Sequence, residues 1–324
     1  MSDTTTISTR PLGKTGIQVT PIGLGVMELA GGGGLVGRAF PVIPQGDKNA
    51  IIQAALDGGI NWFDTAELYG NGVSERSLAE GLKSAGKHPG EVVIATKWWP
   101  LLRTAGNIRH SIADRLRFLE DYPIDLYYVH QPFSFSSPES EMNAMADLVE
   151  AGKIRSVGVS NFGPARMRRA HAALQKRGLP LAANQVRYSL LDRKIEVDST
   201  LETARELGVT ITAYTPLASG LLTGKYHQNP ALLKNKSFFW RSRIQRQLEA
   251  SRPVVAALEE IAQKYQVTAA QVALNWLIWF NGELVVTIPG ATKTQQAADN
   301  AGAMQFKLAD DELSRLDELS RSFR

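Results

Sequence analysis

The sequence predicts an α/β fold, a single (β/α)8 barrel over residues 1–324, with an N-terminal β-hairpin and long loops at the C-terminal face. Eight short β-branched stretches follow one another from Thr20, with amphipathic helical patterns between them and no change in composition that marks a linker. The first seven stretches begin about 27 to 40 residues apart, the length of a βαβ unit. None has the pattern of an antiparallel addition, which favours a closed barrel over an open doubly wound sheet.

The predicted strands are apolar and β-branched, as expected for a parallel sheet that is buried on both faces. In chain order they read TPIGLGV, INWFDT, EVVIATK, IDLYYVH, IRSVGVS, LAANQV, VTITAY and ELVVTI. Capping residues and glycines bound several of the segments between them, which predicts helices from Asp47 to Gly58, from Ser137 to Gly152 and from Asp198 to Gly208. A last helical pattern reads ADDELSRLDELS.

Three segments interrupt this regular alternation. Residues 9–20 predict two short strands around a turn at Lys14 to Gly16, a hairpin that would plug the bottom of the barrel. The connection from Glu28 to Gln45 is long and rich in Gly and Pro. After the seventh strand we expect a loop from Pro216 to Ser251 and then two helices, the second reading TAAQVALNWLIWF. Long loops after barrel strands lie on the catalytic face, so these loops are candidates for binding ligand.

Composition argues against several classes of function. There is no Cys, and the five His have no ligand spacing, so we expect no metal site. No apolar run is long enough for a membrane helix, and the start MSDTTTISTR lacks an apolar signal core, so the cytoplasm is expected. The net charge of +4 comes from short basic groups on amphipathic stretches, which does not predict nucleic-acid binding.

One glycine run resembles a nucleotide-binding fingerprint. Gly32, Gly34 and Gly37 satisfy G-x-G-x-x-G. That fingerprint requires glycines that open a helix pointing at a pyrophosphate, whereas here RAFPVIPQ follows with two prolines. We therefore expect a loop and no Rossmann unit.

A set of polar residues lies at the C-terminal ends of successive predicted strands. Asp64 ends INWFD, Tyr69 follows in the next loop, Lys97 ends EVVIATK and His130 ends IDLYYVH. In a barrel these ends converge on one rim, so residues far apart in sequence would meet at the mouth. Each residue alone could be a cap, a solvated charge or a packing residue. Together, on three adjacent strands, they predict an active site.

The chemistry of these four side chains is coherent. A tyrosine has a pKa of about 10, and the charge of Lys97 is expected to lower that value, with Asp64 as the counter-ion that keeps the lysine protonated. His130 can donate a hydrogen bond that orients and polarises a carbonyl group. With Tyr69 as the proton donor, this is half of a hydride-transfer site. Since no side chain donates hydride, the site implies a nicotinamide cofactor.

These residues and the stretches around them resemble the aldo-keto reductase family over nearly the whole chain. The matching stretches are PLGKTGIQVTPIGLG, INWFDTAELYGNGVSE, VVIATK, IDLYYVHQP, LVEAGKIRSVGVSNF, NQVRYSLLDR, AYTPLASGLLTGK and VVTIPGATKTQQAADNAGA. The resemblance implies that Asp64, Tyr69, Lys97 and His130 form a catalytic tetrad that reduces aldehydes and ketones. The early end of the chain after ADDELSRLDELS is similar to the bacterial and plant-like branch, whose C-terminal substrate loop is short.

The resemblance also implies where the cofactor would bind. Ser160, Asn161 and Gln185 would hydrogen-bond the nicotinamide carboxamide, and Tyr214 would stack on the nicotinamide ring. The pyrophosphate and the adenosine would follow two further stretches. The residues implied there are Thr215, Pro216, Leu217, Ser219 and Leu221 for the pyrophosphate, and Ile288, Gly290, Lys293, Gln296, Asp299 and Asn300 for the adenosine end.

One position departs from the NADPH-preferring members of the family. Many of them have an Arg where this sequence has Gln296, and that Arg binds the 2′-phosphate in a bidentate manner. Lys293 could supply a point charge instead, so we favour NADPH as the cofactor, with NADH possible.

The substrate is expected to be a small carbonyl compound. The loops after strands one, three and four would line its pocket, and aromatic walls would favour hydrophobic or aromatic aldehydes and ketones. The two tryptophans could instead simply pack against the barrel rim. The candidate lining residues are Met27, Trp98, Trp99, Gln131 and Phe133.

Two other functions are compatible with parts of the sequence. The β subunits of potassium channels resemble this family and use the barrel as a cofactor-sensing binding module. A glycosidase would use paired carboxylates, Asp64 with Glu67 or Glu67 with Glu141, but would leave Lys97 and Tyr69 without a role. The sequence does not identify the physiological substrate, the direction of the reaction or the oligomeric state.

Overall fold

Ten strands lie in the part of the chain that the structure describes, eight of them in one parallel sheet. The structure is a computed structural model that describes residues 7–33, 41–235 and 238–324, without the side chains of 234–240 and 243. The strands are β1 (Arg10–Pro11), β2 (Gln18–Val19), β3 (Leu24–Gly25), β4 (Trp62–Asp64), β5 (Val93–Trp98), β6 (Leu126–Val129), β7 (Ser156–Ser160), β8 (Leu181–Arg187), β9 (Thr210–Tyr214) and β10 (Val285–Thr287).

The sheet closes into the predicted barrel. Strands β3 to β10 lie side by side in chain order, and every neighbouring pair is parallel. The first and last strands meet through parallel bridges between Ile22 and Thr287 and between Gly25 and Gly290. All eight predicted barrel strands are therefore confirmed, and their C-terminal ends share one rim.

Helices cover the outside of the barrel and alternate with the strands. They are α1 (Gln45–Asp57), α2 (Val73–Ser84), α3 (Gly106–Leu119), α4 (Pro138–Glu150), α5 (Pro164–Gln175), α6 (Thr200–Leu207), α7 (Lys225–Gln228), α8 (Phe238–Tyr265), α9 (Ala269–Trp279), α10 (Thr294–Gly302) and α11 (Asp310–Ser320). The capping prediction for α4 is confirmed, since the Ser137 hydroxyl accepts a bond of 3.2 Å from the Ser140 amide and Pro138 is the first helical residue.

The predicted loop from Pro216 to Ser251 is wrong over much of its length. A 3-10 helix covers Ala218–Thr223, α7 follows it, and α8 already begins at Phe238. Pro253 lies inside α8, although proline usually occupies the first turn of a helix because it has no amide hydrogen to donate. Pro253 therefore suggests a helix that begins close to it, whereas α8 begins upstream at Phe238.

The N-terminal hairpin plugs the bottom of the barrel as predicted. β1 and β2 pair antiparallel, and Leu12, Ile17 and Val19 pack against the residues that fill the barrel interior, among them Trp62. At the turn, Gly13 has a φ of +58°, and a β-carbon there would overlap the Ala182 carbonyl oxygen. Only glycine therefore allows the hairpin to approach the barrel this closely.

The connection after β3 is only partly described. A 3-10 helix occupies Met27–Ala30, while Gly34 and Gly37 of the glycine run lie outside the described residues. Within the described parts of the chain, no helix combines the length and the apolar character needed to cross a membrane.

Candidate active site

The side chains that end three neighbouring strands meet at the C-terminal rim. Asp64 is the last residue of β4 and Lys97 lies one residue before the end of β5, so both project from the barrel interior into its mouth. The Lys97 ammonium bonds an Asp64 carboxylate oxygen and donates 2.7 Å to the Thr65 carbonyl. The Gln185 amide donates 2.8 Å to the second Asp64 oxygen. Both charges are fully buried, so each depends on these partners.

Tyr69 and His130 stand beside this buried ion pair. The Lys97 ammonium lies 5.0 Å from the centre of the Tyr69 ring. The Tyr69 and His130 rings meet edge to face, with centres 5.8 Å apart and an angle of 84° between their planes. The four residues of the predicted tetrad therefore lie together at one end of the barrel.

The pKa of Tyr69 differs from the prediction. Burial of the phenol and the nearby carboxylates of Asp64 and Glu28 raise the pKa of Tyr69 well above its usual value. The predicted net lowering is wrong, because burial and the nearby carboxylates outweigh any opposing effect of the Lys97 ammonium on the pKa of Tyr69. Tyr69 consequently keeps its proton at neutral pH, which is the state that a proton donor needs.

His130 is electrically neutral in this environment. Burial and the neighbouring Lys97 charge lower its pKa well below the usual value. Its Nδ1 atom is buried and has no hydrogen-bond partner within the described part of the chain. A neutral imidazole carries one N–H, and in this position it can donate that hydrogen to the oxygen of a carbonyl group.

Glu28 is a mouth residue that the sequence analysis did not single out. It lies in the 3-10 turn after β3, and its carboxylate sits so close to Gly290 that a β-carbon there would overlap both oxygens. Burial raises the pKa of Glu28 to about 7. In the sequence, the one indication that Glu28 lies at the mouth is its position in the loop directly after the first barrel strand.

The residues expected around a nicotinamide form one hydrogen-bonded chain. The Tyr214 hydroxyl donates 3.0 Å to the Asn161 side chain, which in turn donates 3.1 Å to the Ser160 hydroxyl. The Ser160 hydroxyl donates 2.9 Å to the backbone carbonyl of Gln185. A half-buried aromatic ring beside fixed amide and hydroxyl groups fits a flat carboxamide-bearing ring, because the ring can stack while the amide pairs.

The expected pyrophosphate segment follows β9 and has an unusual backbone. Thr215, Ser219 and Gly220 all have positive φ, at +56°, +60° and +90°. The turn is closed by its own backbone, since the Ala218 and Gly220 amides donate 3.0 and 2.9 Å to the Thr215 and Leu217 carbonyls. Leu221 departs from the expectation, since its side chain is buried in the core between strands and helices. Leu217 is partly buried against that core and Pro216 is buried.

The expected adenosine segment lies at the start of α10. Lys293 is the N-cap and is exposed, and the Gln296 side-chain oxygen accepts 2.8 Å from the Thr292 amide. Asn300 donates 3.3 Å to the Gly290 carbonyl, which joins the helix to the loop after β10. Ile288 belongs to the barrel interior, and Asp299 accepts a bond from Gln295. The N-terminus of this helix and the Lys293 charge suit a phosphate group.

Four of the five candidate pocket residues lie at or near the mouth. Trp99 packs edge to face between His130 and Phe133, at 5.3 and 5.5 Å, and Gln131 follows His130. Met27 opens the 3-10 turn after β3. These residues remain candidates for the substrate wall.

Trp98 is different, and its assignment to the pocket is corrected. It is completely buried among the residues that pack the helices onto the strands, and its indole N–H donates 2.9 Å to Asn107 on α3. Successive side chains of a strand point to opposite faces, so Lys97 faces the barrel mouth and Trp98 faces the helices.

A parallel barrel with this polar cluster at its mouth has the architecture of a barrel enzyme. A sequence model described as the Aldo/keto reductase family matches residues 21–321, and the chain belongs to this family of oxidoreductases. The predicted resemblance is thereby confirmed.

Individual relatives agree with this assignment. The chain is 35% identical over 281 residues to the chloroplastic pyridoxal reductase of Arabidopsis thaliana, covering 82% of this chain and 74% of the relative. It is 32% identical to probable aldo-keto reductase 1 of Glycine max, with 95% and 87% covered. Among solved structures, the glycerol dehydrogenase of Gluconobacter oxydans has a TM-score of 0.78 at 27% identity, covering 97% and 95%. A thermostable aldo-keto reductase in complex with the inhibitor epalrestat has a TM-score of 0.76 at 28% identity, covering 96% and 99%.

Proposed function

We propose that this protein reduces aldehydes and ketones to alcohols with NADPH, using Asp64, Tyr69, Lys97 and His130. The observation that carries the proposal is the buried Lys97–Asp64 pair with the Tyr69 and His130 rings beside it, in surroundings that raise the pKa of Tyr69 and lower that of His130. A nicotinamide cofactor, when bound, supplies the hydride. The carbonyl oxygen of the substrate would sit between Tyr69 and His130.

In this mechanism each side chain acts on one atom. His130 donates a hydrogen bond to the carbonyl oxygen and orients it, and Tyr69 gives its phenolic proton to the same oxygen as negative charge develops there. Lys97 stabilises the phenolate that remains, and Asp64 keeps Lys97 charged and in place. Because the pKa of Tyr69 is high in the free site, the phenol keeps its proton until negative charge develops on the carbonyl oxygen.

The cofactor would be held by the groups already described. Ser160, Asn161 and Gln185 would bind its carboxamide, and Tyr214 would stack on its ring. The choice of NADPH rests on Lys293, whose ammonium stands at the start of α10 where a 2′-phosphate would meet both a positive charge and a helix N-terminus. The Gln296 oxygen is already bound to Thr292, so Gln296 would contribute at most its amide N–H group.

Aromatic aldehydes are the substrates that we propose first. Trp99 and Phe133 form an aromatic wall beside His130, and a relative that covers most of the chain is named as a pyridoxal reductase. No feature of the described site favours the channel-associated binding module. The glycosidase alternative also fails, because Asp64 and Glu67 are each bound to a cation, Lys97 and Arg103, instead of facing each other across an open cleft.

The test is the oxidation of NADPH and of NADH, followed by absorbance, with 4-nitrobenzaldehyde, pyridoxal and methylglyoxal. Tyr69→Phe should lower kcat by about a hundredfold or more, because it deletes only the proton donor, while NADPH still quenches the intrinsic fluorescence as in the wild type. Wild-type turnover in Tyr69→Phe would refute the assigned role of Tyr69. Cofactor binding without turnover of any aldehyde by the wild type would refute the reductase function.

A further inference from the structure

Glu67 is a charged residue next to the site that the proposed mechanism does not use. It lies two residues before Tyr69 in the loop after β4 and is half-buried. One carboxylate oxygen accepts 3.0 Å from the Trp99 amide, and the other accepts 2.7 Å from the Arg103 guanidinium. The same guanidinium nitrogen donates 3.1 Å to the Trp99 carbonyl. The pair therefore holds both the N–H and the C=O of Trp99.

Fixing this backbone also fixes the aromatic wall. The Trp99 ring meets His130 at 80° and Phe133 at 86°, so the three rings form a row of edge-to-face contacts that starts at His130. Lys97 lies only two residues before Trp99. A shift of the Trp99 backbone would move the wall away from the position where the carbonyl is expected to bind.

The pair also connects to the loop after β6, which carries Phe133. The Phe135 amide donates 2.9 Å to the Arg103 carbonyl, and the Ala105 amide donates 2.8 Å to the Ser136 hydroxyl. Through these bonds the loops after β4, β5 and β6 are joined around the mouth. The Glu67 side chain is only 14% exposed and that of Arg103 33%, so water screens the pair less than a surface ion pair.

We propose that the Glu67–Arg103 ion pair is a positioning device that determines substrate preference. It holds the Trp99 wall in its binding position before substrate arrives, which favours carbonyl compounds carrying a flat aromatic ring over small aliphatic ones. Because the Trp99 wall is already ordered in the free protein, binding does not have to immobilise it. The ion pair therefore raises the affinity for the aromatic group without touching the substrate. This inference rests on the proposed function.

The test compares one aromatic and one small aldehyde in Glu67→Gln. Glutamine keeps an oxygen for the Trp99 amide but removes the charge that holds Arg103. KM for 4-nitrobenzaldehyde should rise about tenfold with kcat nearly unchanged, because the interaction lost acts on binding. KM for methylglyoxal should change less than about twofold, because this substrate is too small to use the wall.

Two further variants separate positioning from a general loss of structure. Arg103→Met should give the same selective rise in KM, and Arg103→Lys should restore part of the wild-type value because a lysine supplies one charged donor in place of the guanidinium fork. The matched control is Glu206→Gln, which removes the charge from the exposed Arg168–Glu206 ion pair between the outer helices α5 and α6. It should leave both KM values unchanged.

Binding is measured separately from turnover, so that the two proposals can fail separately. Quenching of tryptophan fluorescence gives the Kd of 4-nitrobenzaldehyde, and Glu67→Gln should weaken this binding about tenfold as well. If the wild type binds the aldehyde without reducing it, the proposed function fails and the comparison of Kd values still decides the role of the pair. Equal effects on both aldehydes, an unchanged Kd in Glu67→Gln, or no binding by the wild type would overturn the inference.

Discussion

Replacement of Lys97 by Met is the most direct test of the buried ion pair. The change removes the ammonium that binds Asp64 and the Thr65 carbonyl, and leaves the Asp64 carboxylate with the Gln185 amide as its remaining side-chain partner. Asp64 is only 1% exposed, so water cannot replace the lost partner. Breaking a buried pair from one side leaves an uncompensated charge, and we expect Lys97→Met to reduce the free energy of unfolding by about 3 kcal/mol.

The size of this loss should depend on pH. Burial already raises the pKa of Asp64 although Lys97 opposes it, and without Lys97 the pKa must rise further. A carboxyl group whose pKa is higher in the folded than in the unfolded state makes the protein less stable as pH rises between the two values. Lys97→Met should therefore lose more stability at about pH 8 than at about pH 5, where the carboxyl is closer to its neutral form.

The assay is urea unfolding followed by far-ultraviolet circular dichroism at both pH values. In the double variant Lys97→Met with Asp64→Asn, part of the loss should be recovered, because an asparagine needs no counter-ion. Lys83→Met is the control, since both side chains of the Lys83–Glu120 ion pair are exposed, at 51% and 45%. Equal destabilisation by Lys97→Met at both pH values, or a double variant as unstable as the sum of its single variants, would refute this account of the site.

Two other side chains give independent tests. Burial raises the pKa of Glu28 from 4.5 to about 7, so this group reduces stability as pH rises through this window, and Glu28→Gln removes that contribution. In the same urea assay, Glu28→Gln should therefore gain stability relative to the wild type between about pH 5 and about pH 8. A difference in free energy of unfolding that stays constant with pH would contradict the buried position of Glu28. Lys293→Met should raise KM for NADPH about tenfold and leave KM for NADH unchanged. Equal changes in both would show that Lys293 does not contact the 2′-phosphate.

The barrel could be predicted because its signal is local and repeated. A parallel strand buried on both faces must be apolar throughout, and stretches such as EVVIATK and IDLYYVH show this directly. The prediction of a loop up to Ser251 was wrong for the opposite reason. The first half of α8 lacks a clear local signal, and Pro253 argues against a helix that tertiary packing of residues such as Ile244 stabilises.

The tryptophans at the end of β5 show a signal that the sequence contained and the pocket prediction did not use. Trp98 and Trp99 are adjacent and chemically identical, yet one packs under α3 and the other stands at the mouth. Side chains alternate along a strand, so the prediction that Lys97 faces the mouth already implies that Trp98 faces the helices and Trp99 the mouth. The structure agrees, with Lys97 paired to Tyr128 and Trp98 to Val129.

The sequence by itself determined the class of fold, the order of the strands and the convergence of Asp64, Tyr69, Lys97 and His130, since strand ends in a parallel barrel must meet. Only the tertiary structure decided their electrostatics. Burial raises the pKa of Tyr69, and the carboxylates of Asp64 at the end of β4 and Glu28 in the loop after β3 raise it further. Burial and charge at a site are sums over neighbours distant in sequence, so they follow from the folded arrangement and not from any local pattern.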